Sequence, residues 1–212
     1  MQRIVWALSS ISGVLRNVQL RRVELAWGAS VAAEWANFVA LGVFAYDVGG
    51  TLAVGLAGLV RLLPAALVAP FAALVGDRFR RERFLVAISA GGCVALAGSA
   101  AVYFVDRNEY VIFPLASIFG LSSTLLRPAL QALLPSLART PEELIASNGA
   151  TSTIEGLATL VGPLVAGVLI AATDPGVVFA LAGAALLAAA LFFARVVQAL
   201  ERADQTLGHM GD

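Results

Sequence analysis

The chain has 212 residues, of which 59% are hydrophobic and 13% charged, and its 14 basic and 14 acidic residues leave no formal net charge. A soluble domain carries about 25% charged residues, because most of its outer surface meets water. The composition excludes a soluble globular body, and balanced charge without a polybasic arm gives no support for nucleic-acid binding.

Residues 1–24 read as an amphipathic segment on the cytoplasmic membrane surface. Ile4, Leu8, Ile11, Leu15 and Val18 recur at helical spacing, with Arg3, Ser10, Arg16 and Asn17 elsewhere on the wheel. A frayed tail is the alternative. The apolar run from Ile4 to Leu8 is too short for a cleavable signal peptide. Six runs follow that are long enough to cross about 30 Å of hydrocarbon, at about 25–46, 52–75, 84–105, 110–134, 144–172 and 176–199. They lack the alternation of a transmembrane barrel. The spacing predicts an all-α membrane protein with six transmembrane helices over 25–199 and a cytoplasmic tail over 200–212.

Arginine placement predicts the orientation. Eleven arginines flank the ends of spans on one side, and Arg107 alone falls on the other. By the positive-inside rule both termini are expected to be cytoplasmic in a multi-pass protein of the cell membrane. The sequence also suggests an internal repeat. The second and fifth spans carry Pro64, Pro70 and Pro163, the third and sixth are rich in Ala and Gly, and the first and fourth each hold an ionisable residue. Three spans followed by three of like character is the pattern of a 3+3 inverted repeat.

Ionisable groups within a span are costly and mark polar cavities or partners. Four occur here: Glu34, Arg61, Arg127 and Glu155. In the first span Ser30, Glu34 and Asn37 share a face, and in the fourth Gly120, Thr124, Arg127 and Gln131 do so. If both stripes line one cavity, Glu34 and Arg127 are expected to pair, the pair breaking on protonation or on binding a cationic ligand. The alternative is that each merely fixes helix packing. Glu155, with Ser152 and Thr159 at helical spacing, is a candidate second proton site or a packing contact. Arg61 needs a partner that the sequence does not name. Trp27, Phe38 and Phe119 would suit an apolar or aromatic cavity ligand, or would simply pack. In the fifth span, Gly149, Ala158, Gly162, Ala166 and Gly167 permit close helix approach, and Pro163 next to Gly162 loosens the helix.

Two strings resemble one family. GDRFRRERFL, from Gly76 to Leu85, is similar to the motif between the second and third helices of the major facilitator superfamily, with Asp77, Arg78 and Arg81 at its acidic and basic positions. Ala73 and Arg80 stand where that family usually has glycine. The fifth span, with Gly149, Ala158, Gly162, Pro163 and Gly167, resembles the antiporter motif of the drug-efflux branch, and RLLPAALVAPFAALVGDR and RPALQALLPSL resemble macrolide and siderophore exporters. The resemblance implies half of a major facilitator fold, a proton-coupled exporter, and a cytoplasmic gate built on Asp77, Arg78 and Arg81. It also implies that the first and fourth spans line the cavity.

Family members have twelve helices in two halves. This chain is expected to supply the N-terminal half, truncated or split, inactive alone, and completed by a missing C-terminal half, a separate chain or a second copy. Its expected partners are the lipid bilayer, a small-molecule substrate and that second six-helix half. No cofactor or metal is expected. A different reading is a non-transporting scaffold or sensor half that anchors a regulatory partner. An enzyme is not expected, since neither a His-Glu-x-x-His pair nor a Gly-x-Ser-x-Gly elbow is present.

Overall fold

A computed structural model describes residues 17–68 and 81–209, the side chains of 81–82 and 203–209 excepted. The amphipathic segment expected over residues 1–16, Pro70, and the motif residues Asp77 and Arg78 lie outside the described residues, as does the side chain of Arg81. The described chain is helical throughout apart from its short links: α1 (Val18–Val68), α2 (Arg81–Val105), α3 (Glu109–Leu137), α4 (Pro141–Ala172) and α5 (Pro175–His209). All five are long and apolar enough to cross a membrane.

Five long helices stand where six were expected, because the first two expected spans run as one element. It kinks at Gly49 and Gly50, where the backbone leaves helical angles. Gly50 has φ +64° and ψ −152°, a region open essentially to glycine alone. The arms, 18–48 and 51–68, fold back on each other: Arg61 reaches Glu34, 27 residues earlier, at 3.2 Å. On a straight helix those residues would stand about 40 Å apart.

Capping chemistry sets the other boundaries. Asn17 Oδ1 accepts from the backbone N–H groups of Gln19 and Leu20 at the start of α1. Asn108 caps α3 by accepting from Tyr110 N, and Thr140 caps α4 by accepting from Glu143 N, with Pro141 in the first turn. The expected surface segment and first span meet at residue 24, within the continuous helix α1; Leu20, Val23 and Glu24 are already buried. Beyond the expected end of the last span at 199, α5 continues to His209.

Prolines inside helices free carbonyl groups, and one of these has found a partner. Pro64 cannot donate to Val60 O, and Ser117 Oγ of α3 donates to that oxygen at 2.6 Å. The second arm of α1 is thus tied to α3 where its own hydrogen-bond ladder is broken.

The core has two parts. At one end Leu20, Val23, Trp27, Leu130, Leu134, Phe193 and Val196 pack together. At the other, Phe44, Tyr103, Phe113 and Phe179 meet edge to face, with centroids 5.8–6.2 Å apart. Small residues allow α4 to lie against the first arm of α1. A Cβ on Gly162 would stand 2.8 Å from Ala32 O, and one on Gly28 would stand 2.8 Å from Ile154 Cγ2. Glu24 meets Ser147 and Thr151 nearer the chain start, so contacts advance together along both helices, which therefore run parallel. The helix α4 packs chiefly against α1 and barely touches α3 or α5. Its opposite side exposes Leu157, Leu160, Leu164 and Val168, as lipid contact requires.

Candidate functional site

Three polar groupings lie among these apolar helices. The first is the ion pair between the two arms of α1. Arg61 Nη2 donates to Glu34 Oε1 at 3.2 Å; the arginine side chain is 8% exposed and the glutamate 37%. The Arg61 guanidinium also lies 5.5 Å from the Phe38 ring centroid, within cation–π range. Gly120 of α3 is where α3 crosses Arg61, since a Cβ there would strike the Arg61 backbone and stem.

The second grouping is an ion pair between α3 and α4. Arg127 Nη1 donates to Glu155 Oε1 at 2.8 Å across the gap between these sparsely touching helices, and both side chains keep appreciable exposure, 59% and 27%. Around the pair Thr124 and Gln131 of α3 and Asn148 and Ser152 of α4 are exposed. This is a continuous polar face on the outside of the bundle.

The expected Glu34–Arg127 pair is therefore not formed. The fold brings each arginine to a different glutamate, Arg61 to Glu34 and Arg127 to Glu155, because the kink in α1 lays its second arm along the Glu34 face while Arg127 points toward α4. The two stripes also face different surroundings. Ser30 and Asn37 are buried in the bundle, whereas Thr124, Arg127 and Gln131 are open. Ser30 Oγ donates to Ala26 O and Thr124 Oγ1 to Gly120 O, so both hydroxyls are satisfied within their own helices. The first and fourth expected spans do share a cavity, the first through the expected Ser30 and Glu34, the fourth through residues other than Thr124, Arg127 and Gln131. Trp27, Ser30 and Glu34 face Ser122 and Ser123 across a space of about 10 Å³ that Phe119 and Ser89 also line. That is room for one water molecule, and the buried Trp27 Nε1 and Ser89 Oγ have no hydrogen-bond partner among the described residues. Of the three aromatic candidates, Trp27 and Phe119 are buried and Phe38 is exposed.

The antiporter-like residues of the fifth span separate in the same way. Gly162, Ala158 and Ala166 are buried, Gly162 against α1, whereas Gly149 and Gly167 have open space where a side chain would stand. Close packing thus accounts for Gly162 and leaves Gly149 and Gly167 without a packing role.

The family model of the Major Facilitator Superfamily matches residues 25–209. The chain belongs to the major facilitator superfamily. As a major facilitator it is a multi-pass membrane protein and a transporter of that kind, from a family of transporters rather than enzymes. No curated protein matches the chain.

One polar group of this major facilitator was not singled out from the sequence. Glu24 is only 4% exposed. Its Oε1 accepts hydrogen bonds from Ser147 Oγ at 2.7 Å and Thr151 Oγ1 at 2.9 Å, both on α4. Its Oε2 has no hydrogen-bond partner among the described residues. The signal was present: an acid between Val23 and Leu25, in register with the buried faces of Leu20, Trp27 and Val31. Drawing the first span from residue 25 hid it. Near the same end, buried Asn17 donates through Nδ2 to Leu137 O at 3.2 Å and to Glu143 Oε2 at 3.4 Å, joining the start of α1 to the α3–α4 link.

Proposed function

We propose that this chain forms the N-terminal half of a proton-coupled small-molecule exporter. It crosses the cell membrane six times as a 3+3 inverted repeat, with the arms of α1 as two crossings and both termini cytoplasmic. The observation that carries this reading is the open polar face of α3 and α4. Thr124, Arg127 and Gln131 stand beside Ser152 and Glu155, with a 2.8 Å ion pair between the helices. Acyl chains cannot hydrate such a face, so it needs an aqueous cavity closed by a second helical bundle, in the same polypeptide or another. Parallel packing of α4 on the first arm of α1 supports the six crossings, since two helices of like direction are separated by an odd number of crossings. The motif resemblance supports the efflux branch that includes macrolide and siderophore exporters. Asp77, Arg78 and Arg81 would then serve as a cytoplasmic gate.

On this reading, Glu155 and Arg127 carry the change on which coupling depends. A proton on Glu155 releases Arg127, which then offers a cation to an anionic or acceptor-rich substrate group. Glu34 is held by Arg61 and has a secondary part, at the small cavity with Ser30; Asn37 lies deeper and has a packing part.

Accessibility tests the assignment. In a Cys93→Ser background, single cysteines at Thr124, Gln131 and Ser152 should react with a membrane-impermeant thiol reagent far faster than cysteines at Leu160 or Leu164. Labelling as slow as at Leu160 would favour the scaffold reading. Export itself is tested in everted vesicles that hold this bundle together with a second helical half, with a macrolide and a catecholate siderophore as probes. Uptake that does not collapse with the proton gradient would remove the coupling.

A further inference from the structure

We infer that Glu24 is a proton-binding site at the interface of α1 and α4, and that its proton decides whether α4 stays seated on α1. The site is built rather than incidental. One carboxyl oxygen takes two hydroxyl hydrogen bonds from successive turns of α4, at 2.7 and 2.9 Å, and the other is buried with no partner among the described residues. Ionised, the group would place a charge among Leu20, Val23, Leu130, Leu134 and Ala146, the apolar residues grouped at this end. Neutral, it needs no counter-ion and keeps both hydroxyl bonds.

No cation answers it among the described residues. From α4 the facing groups are the Ser147 and Thr151 hydroxyls. Of the other acids near this stretch of α4, Glu143 accepts from Asn17 and Arg139 N and Glu155 from Arg127, while Glu142 is exposed. On α1 itself Arg21 points outward and Arg22 is half-exposed, neither within ion-pairing reach of Glu24. From α3, the α3–α4 link and α5 the cations are Arg127, Arg139, Arg195 and Arg202, all exposed, and the acid Glu201 pairs with Arg83; the buried residues contributed at this end are apolar, among them Leu130, Leu134, Phe193 and Val196. From α2, Arg83 is exposed and bound to Glu201.

The mechanical consequence follows from how α4 is held. Among the described residues its only extensive interface is with α1, so a charge appearing at Glu24 acts on the contact that anchors it. Loss of the proton loosens residues 141–155 from α1 and opens that end of the bundle; regaining it closes the seam.

The test reads the proton directly and needs no substrate, so its failure is separable from failure of the transport reading. Infrared spectra of the full chain in lipid vesicles at neutral pH, with choline chloride as the only salt, should show a protonated carboxyl band. Glu24→Gln should remove that band and Glu34→Gln should leave it. Raising the pH should remove the wild-type band and, in parallel, lower the protection of residues 141–155 against hydrogen exchange, measured relative to the intrinsic base-catalysed rate at each pH. The Gln variant should show neither pH effect. Four results would overturn the proposal: a spectrum unchanged by Glu24→Gln; protection of 141–155, relative to the intrinsic exchange rate, that does not change with pH; displacement of the proton by sodium at fixed pH, which would make this a metal-cation site; or failure of Glu24→Gln to fold, since the amide copies the shape and neutrality of the acid.

Discussion

Glu34 and Arg61 belong to one helical element, yet meet side chain to side chain at 3.2 Å because the element doubles back at Gly50. The contact thus reports tertiary structure inside a single secondary element. Arg61 is the more deeply buried partner, so stranding it should do more harm than stranding Glu34. Glu34→Leu is expected to lower stability by about 1–3 kcal/mol, Arg61→Leu by less, and the double variant by less than the sum. Thermal unfolding of all four proteins in one detergent completes the cycle.

Arg127 and Glu155 should behave in the opposite manner. Their pair is largely open, and exposed pairs contribute only about 0–1 kcal/mol. Arg127→Ala should leave the melting temperature nearly unchanged while abolishing export by a complete transporter that contains this bundle. Exchanging the two residues, Arg127→Glu with Glu155→Arg, should restore folding measures and not transport. A large loss of stability in Arg127→Ala would make the pair a structural strut.

At Gly50 the obstacle to a side chain is backbone conformation alone, since nothing lies within 4 Å of a Cβ built there. Gly50→Ala should therefore cost about 1–3 kcal/mol. Gly55→Ala, at a helical site with equally open space, should be neutral or slightly stabilising. Unfolding midpoints of the two variants make the comparison.

The glycines of α4 divide by what they touch. A Cβ at Gly162 would press on Ala32 O and Trp35 Cβ at 2.8 and 2.9 Å, whereas Gly149 and Gly167 meet nothing within 4 Å. Gly162→Ala should destabilise by about 1–3 kcal/mol through overpacking. Gly149→Ala and Gly167→Ala should be tolerated in the same melting assay. A loss of transport in either of these two, with stability intact, would assign it to the proposed interface with a second bundle rather than to packing.

Ser117 and Pro64 form a fifth test. The hydroxyl donates to the carbonyl that the proline leaves without its helical donor. Ser117→Ala should cost about 1 kcal/mol or more, the penalty for an unsatisfied partly buried acceptor. In a Pro64→Ala background, where residue 64 regains its N–H, the same substitution should cost distinctly less.

Composition and apolar run length were enough to establish an all-helical membrane protein, since lipid leaves the backbone no other way to satisfy itself over such lengths. Motif strings sufficed for the family, and the charges within spans were visible as residues that needed partners. The partners were not legible. Helical periodicity tells which residues share a face but not which face meets which helix, so four charges at four positions allowed pairings that one-dimensional spacing could not rank. Glu34 joins Arg61 rather than Arg127 because Gly50 turns the chain back along that face, and Arg127 joins Glu155 because α4 lies parallel to α1 with its polar edge toward α3. Glu24 was obscured for a related reason. A hydropathy window ends where a charge begins, whereas burial is decided by the neighbouring helix that brings Ser147 and Thr151 over it.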